Sequence, residues 1–204
     1  MFTGIVATVG RIERVEPLGA DAGVRLTIDS GGLDLSDVSP GDSIAIQGAC
    51  MTATVIDGSR FVVEVSKESL SKTSGLDRPG AVNLEKAMRL DDRIGGHLVS
   101  GHVDGLGRVA SFEPVGESWR LVLRAPAGLA KYFAYKGSVT VNGVSLTVNR
   151  VADVAEGVEF EINLIPHTIA VTTLKSLKAG ERVNLEVDLI ARYVERMLGA
   201  PANR

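Results

Sequence analysis

The sequence predicts a mainly β protein: two tandem, homologous, small antiparallel β-barrels of Greek-key type, followed by one C-terminal α-helix. Three observations predict it. The apolar runs are short, rich in β-branched residues and separated by Gly, Pro, Asp or Ser. The first half of the chain aligns with the second. Convincing helical periodicity is confined to residues near 189–199.

Taken in order, TVGRIERV (8–15), VRLTI (24–28), SIAIQ (43–47), MTATVI (51–56) and FVVEV (61–65) have strand length, and 23 glycines supply the turns that short barrel strands need. GIVATVGRIERVEP (4–17) then returns, without gaps, as GHVDGLGRVASFEP (101–114). Gly4/Gly101, Val6/Val103, Gly10/Gly107, Arg11/Arg108, Glu16/Glu113 and Pro17/Pro114 are identical, six columns where chance gives about one. SIAIQGACMTATVI (43–56) matches SVTVNGVSLTVNRV (138–151), FVVEVSKESLSKTS (61–74) matches FEINLIPHTIAVTT (160–173), and VNLE occurs at 82–85 and 183–186. Order and spacing persist over about 95 residues, which sets aside one large β sandwich with chance similarity. The expected division is 1–96 for the first barrel, 97–188 for the second and 189–204 for the tail, with the joint near Arg93–Gly96. In the tail, Ile190, Tyr193, Val194, Met197 and Leu198 share one helical stripe. Asp188 can cap its start, and Gly199 and Pro201 end it.

Composition excludes several classes. With 22 Lys+Arg against 25 Asp+Glu and a net charge of −3, the chain lacks the basic balance of a nucleic-acid or anionic-membrane binder. Aromatics at 4% give no stacking platform for single strands. One Cys and three His provide neither a disulfide framework nor a zinc cluster. MFTGIVATVG has neither the basic nor the apolar region of a signal peptide, and no apolar stretch is long enough to span a membrane. The expectation is a soluble protein of the reducing cytoplasm.

A duplicated barrel offers two equivalent pockets, and differences between the copies mark where chemistry was added. Cys50 aligns with Ser145, each two residues before a Thr and so on one strand face with it. Ile5 aligns with His102 and Gly41 with Lys136, so the second copy has an imidazole and an ammonium that the first lacks. Residue types alone leave plainer readings open. Cys50 can be an inert buried residue, Lys136 and His167 solvated loop residues, Asp188 a helix cap, and SKESLSKTS (66–74) a polar turn. His97 and His102, five apart, face opposite ways on a strand and make a poor metal pair. GxGxxG, Walker and GxSxG spacings are absent. Composition and spacing thus give two barrels and a small-molecule site, without a reaction.

MFTGIV, GACMTATV, GGHLVSGHVDG, KGSVTVNGVSLTV and NLIPHTIAVTTL together resemble the motifs of the riboflavin synthase family of the α-chain type, repeat for repeat over the whole chain. The resemblance implies lumazine-binding barrels, a homotrimer held by C-terminal helices, and no metal or redox cofactor. It also implies a dismutation of two 6,7-dimethyl-8-ribityllumazine molecules, and leaves room for association with lumazine synthase. Ligand contacts carried over by motif are Gly4, Ile5, Val6, Cys50, Met51, Thr52 and Glu64, Val65, Ser66, Lys67, Glu68, Ser69 for the first copy. For the second they are Gly101, His102, Val103, Lys136, Ser145, Leu146, Thr147 and Asn163, Leu164, Ile165, Pro166, His167, Thr168. Turnover is implied for Phe2, Ser43, Cys50, His97, His102, Ser145 and Asp188. Ala49 and Met51 depart from the family's usual choices by volume-tolerant changes. Non-catalytic lumazine- or flavin-binding antenna proteins share the duplicated barrel, but lose second-copy motifs that this chain keeps in His97, His102, Ser145 and Thr147. A flavin reductase module would need a nucleotide-binding α/β half, for which the sequence has no pattern.

Overall fold

The computed structural model describes residues 1–199; Pro201, read as a helix terminator, lies outside them. In the first repeat β1 (Thr8–Pro17), β2 (Val24–Asp29), β3 (Ser43–Ile46), β4 (Ala49–Asp57), β5 (Arg60–Val65) and β6 (Gly80–Lys86) close in the order β1-β2-β5-β4-β3-β6. In the second, β7 (Gly105–Val115), β8 (Ser118–Pro126), β9 (Ser138–Val141), β10 (Val144–Val154), β11 (Gly157–Leu164) and β12 (Arg182–Val187) trace the same antiparallel circuit. Even the irregularities repeat: the β1/β2 register slips between Ile12 and Arg14, and β7/β8 between Val109 and Ser111. Such bulges bend a strand enough to let a small sheet close.

Strand alternation decides where a ligand can go. Along β4, Ala49, Met51 and Ala53 are buried while Cys50, Thr52 and Thr54 alternate outward. Along β10, Val144, Leu146 and Val148 are buried while Ser145 and Thr147 face out. The lumen of each barrel is filled by its own core, around Leu26, Ile44 and Phe61 in one and Leu121, Val139 and Phe160 in the other. A ligand contacting Cys50 or Ser145 therefore lies against the outer wall, where side chains of a six-stranded barrel leave no room inside.

The barrels dock through a reciprocal set of amides. Asn83 Nδ2 donates to the Asn142 carbonyl, and Asn184 Nδ2 to the Gln47 carbonyl, each at 2.9 Å. Their Oδ1 atoms accept from Thr173 N and Ser74 N, at 2.8 and 2.7 Å. The Asn of each VNLE copy thus bonds to the opposite barrel. All four polar positions of both amides have defined geometry, and burial makes such a network costly to break.

Two short helices follow equivalent strands: α1 (Lys67–Lys72) after β5 and α2 (Pro166–Val171) after β11. The first falls in a segment with the plainer reading of a polar turn and the second holds His167, with the plainer reading of a loop residue, because six residues are too few to display a helical period. The tail helix α3 (Leu189–Leu198) starts where expected, with Asp188 Oδ1 accepting from Ile190 N at 2.8 Å. Its polar side is tethered to the second barrel, Arg192 to Asp104 at 2.9 Å and Glu195 to Lys131 and Tyr132. Its apolar stripe faces away: Ile190, Tyr193, Met197 and Leu198 are 64, 63, 75 and 83% exposed. The stripe does not pack on its own barrel.

Candidate active site

The site is built around two arms, residues 2–5 and 97–102, that lie outside the barrels and pair with each other. Phe2 N donates to Val99 O at 2.7 Å, and Val99 N to Phe2 O at 3.1 Å. Phe2 is fully buried in a small cluster with Ala45 and Val99, flanked by Cys50 and Ala87 and separate from both barrel cores.

Each arm is held by a buried carboxylate. Thr3 N and Oγ1 both donate to Glu85 Oε1 at 2.7 Å, and Gly4 N to Oε2 at 3.1 Å. Ser100 N and Oγ donate to Glu186 Oε1 at 2.7 and 2.6 Å, and Gly101 N to Oε2 at 2.9 Å. Burial pushes both carboxyls above the ordinary glutamate value, against the pull of these donors. The Glu of each VNLE copy is therefore an arm clasp. The duplication of VNLE was visible in sequence; its purpose was not.

The arms then cross. The Gly4 carbonyl accepts from Ser145 N of the second barrel at 2.7 Å, and the Gly101 carbonyl from Cys50 N of the first at 2.8 Å. Both glycines have left-handed backbones, φ +75° and +78°. A Cβ on Gly4 would stand 2.6 Å from that of Ser145, and one on Gly101 2.7 Å from that of Cys50. Only glycine permits that approach. Val6 packs on the second core and Val103 on the first.

His97, on the second arm, places Nδ1 2.7 Å from Ser145 Oγ, and its backbone N donates to Thr3 O at 3.1 Å. If the hydroxyl donates, the ring proton sits on Nε2, which is buried with no partner among the described residues. Burial pushes this imidazole below its ordinary 6.5, opposed by the carboxylate of Asp188. His97 and Ser145 form a hydrogen-bonded dyad whose second ring nitrogen is buried. Ser43, half-buried at the start of β3, lines a cleft of about 640 Å³ with Thr3, Ile5, Glu85, Arg89 and Arg93.

Residues 3–87 and 100–188 each match the lumazine binding domain family. A riboflavin synthase of Photobacterium phosphoreum is 46% identical over 200 residues, covering 97% of this chain and 89% of that one. The chain belongs to the riboflavin synthase family. A riboflavin synthase of Mycobacterium tuberculosis (strain ATCC 25618 / H37Rv) is also 46% identical, over 203 residues, covering 97% of this chain and 98% of that one. Among solved structures, LumP complexed with riboflavin has a TM-score of 0.79 at 24% identity, covering 92% of this chain and 99% of that one, a likeness of fold.

The riboflavin synthase motifs collect ligand positions by copy; the geometry regroups them. Gly4, Ile5 and Val6 accompany Ser145, Leu146 and Thr147, whereas Gly101, His102 and Val103 accompany Cys50, Met51 and Thr52. The arm that carries His102 consequently meets the first barrel at Cys50. The physical reason is the arm exchange, which sequence alignment cannot register. Met51, Val65, Leu146 and Leu164 point into their cores and offer a ligand only main-chain groups. Around α1 the outward side chains are engaged: Glu64 with Arg25 at 2.8 Å, Lys67 with Asp21 at 2.7 Å, and Ser66 Oγ capping Ser69 N at 3.0 Å, while Glu68 lies exposed. Around α2, Asn163, Ile165, Pro166 and His167 lie open and Thr168 half-buried. Lys136 occupies a left-handed position, φ 64°, where the first copy has Gly41 at φ 105°, and its Nζ donates to Asn149 Oδ1 at 2.8 Å.

Proposed function

We propose that the chain is a riboflavin synthase: two 6,7-dimethyl-8-ribityllumazine molecules exchange a four-carbon unit, giving riboflavin and 5-amino-6-(ribitylamino)uracil. The observation that carries this is the pair of equivalent outer-wall sites, Cys50 beneath one arm and Ser145 beneath the other, in a chain so similar to riboflavin synthases throughout its length. The C7 methyl of one lumazine is acidic because its carbanion delocalises into the ring. The other lumazine becomes electrophilic by addition of a hydroxyl, thiolate or water at C7. The protein has to hold two stiff rings face to face, for which effective molarity can supply about 7–11 kcal/mol. It also has to move protons.

The His97–Ser145 dyad fits a proton relay, since a neutral imidazole can take a proton from the hydroxyl or the ligand. Cys50 and His102 supply a thiol and an imidazole to the other ring. Main-chain groups and hydroxyls at 64–69 and 163–168 fit the ribityl chains. Phe2 and Asp188 act by anchoring an arm and by charge near His97. The exposed stripe of α3 fits a homotrimer in which the first barrel of one subunit faces the second barrel of the next. Association with lumazine synthase and a cytoplasmic location complete the reading.

Mixing purified protein with dimethylribityllumazine, without additives, should yield riboflavin by absorbance. A ligand that binds and stays unchanged would instead support an antenna protein.

A further inference from the structure

We infer that Glu85 and Glu186 are crossed positioning residues: each carboxylate, through the arm it clasps, sets the wall of the ligand site on the opposite barrel. Glu85 stands on β6 of the first barrel and holds Thr3 and Gly4, and the Gly4 carbonyl fixes Ser145 N on the second barrel. Glu186 stands on β12 of the second barrel and holds Ser100 and Gly101, and the Gly101 carbonyl fixes Cys50 N on the first. The Glu85 clasp also reaches the His97–Ser145 dyad, because Thr3 O accepts from His97 N.

A role limited to holding the fold explains this arrangement poorly. Neither carboxylate has a cationic partner among the described residues, and each is buried to within 9% of full burial. A buried carboxylate is expensive unless something specific uses it, and an apolar contact would dock an arm at less cost. What a carboxylate adds is direction: two oxygens meeting three donors fix the arm's rotation and height as well as its presence. The same three-donor geometry occurs twice, on segments that carry Gly4–Val6 and Gly101–Val103. The arms also pair with each other at Phe2 and Val99.

This inference rests on the ligand positions of the proposed function, but two reporters test it without turnover. Cys50 is the single thiol of the chain and reads the first-barrel site. His97 Nδ1, through its 15N shift, reads the hydrogen bond to Ser145 in the second-barrel site. In full-length protein, Glu186→Gln should raise the rate of Cys50 alkylation by iodoacetamide roughly tenfold and leave the His97 shift in place. Glu85→Gln should move the His97 shift and change Cys50 alkylation by less than about twofold. Thr3→Val and Ser100→Ala each remove one hydroxyl donor without altering a carboxylate, and should give smaller effects in the same crossed sense. They decide the matter if a Gln variant fails to fold. Effects confined to each glutamate's own barrel, equal effects on both reporters, or no effect on either would overturn the inference. A crossed pattern in a protein that makes no riboflavin would leave it standing and remove only the functional reading.

Discussion

Truncating Phe2 to alanine separates arm docking from barrel folding. The ring is fully buried, but against Ala45, Val99, Cys50 and Ala87 rather than in either barrel core. Removing a buried phenylalanine costs about 3–5 kcal/mol. Here that cost falls on docking of the arms, whose remaining ties include the Glu85 and Glu186 clasps, the Phe2–Val99 pair, the Gly4–Ser145 and Gly101–Cys50 bonds and the bond from Met88 N to Met1 O. At about 1.4 kcal/mol per factor of ten, 3–5 kcal/mol lowers the equilibrium constant for arm docking by roughly a hundred- to several thousandfold. Riboflavin formation by Phe2→Ala at saturating substrate should therefore fall by about a hundredfold or more, while the thermal transition moves little. Phe2→Leu should recover much of the rate. Absorbance-followed turnover and a circular-dichroism melt on the same samples measure both. If the melt collapses in step with activity, Phe2 belongs energetically to a barrel core; if activity is normal, the arms are dispensable.

His97 is held below its ordinary 6.5 by burial, so its neutral form is favoured: the stability it contributes is complete above that value and is lost as pH falls through the lower folded-state value. The acid limb of the rate profile should lie below 6.5 and disappear in His97→Gln; an unchanged limb assigns it elsewhere. Lys136→Gly should relieve a left-handed lysine, adding up to about 1 kcal/mol by denaturant unfolding while weakening lumazine binding. Equal affinity would make Lys136 a loop residue only. Deleting residues 189–204 should shift light-scattering mass from trimer toward monomer and lower activity with both barrels folded; a truncated trimer would refute the role given to the stripe on α3.

The repeat, the barrel class and the tail helix were legible because each is written in local pattern: alternation along β4 and β10, identities between copies, and the stripe of Ile190 to Leu198 with its Asp188 cap. The partnership of Cys50 with Ser145 as equivalent positions was legible for the same reason. What pairs across distance was not. Asn83 bonds to Asn142, and Glu85 to Thr3, by contacts that leave no periodic trace in the chain. An alignment of copies says which residues correspond, and is silent on which copy each arm lies upon. The alignment sets His102 in the second copy with Lys136, while the backbone of its neighbour Gly101 bonds to Cys50 of the first. Polar VNLE residues within an apolar strand were the one available hint, since a buried Asn and Glu need partners.

The crossed arms also order events during synthesis. Gly4, on the first arm, has as its partner Ser145, made about 140 residues later in translation. The first barrel can complete its ladder as soon as β6 emerges, yet its outer wall stays uncovered until Gly101 follows, and the first arm lacks its bond to the second barrel until β10 exists. Glu85 can hold Thr3 in the interval, acting as a temporary berth on the nascent chain. A chain halted after its first barrel would therefore carry a folded core and an unsheltered apolar arm, the kind of exposed surface that invites capture or aggregation.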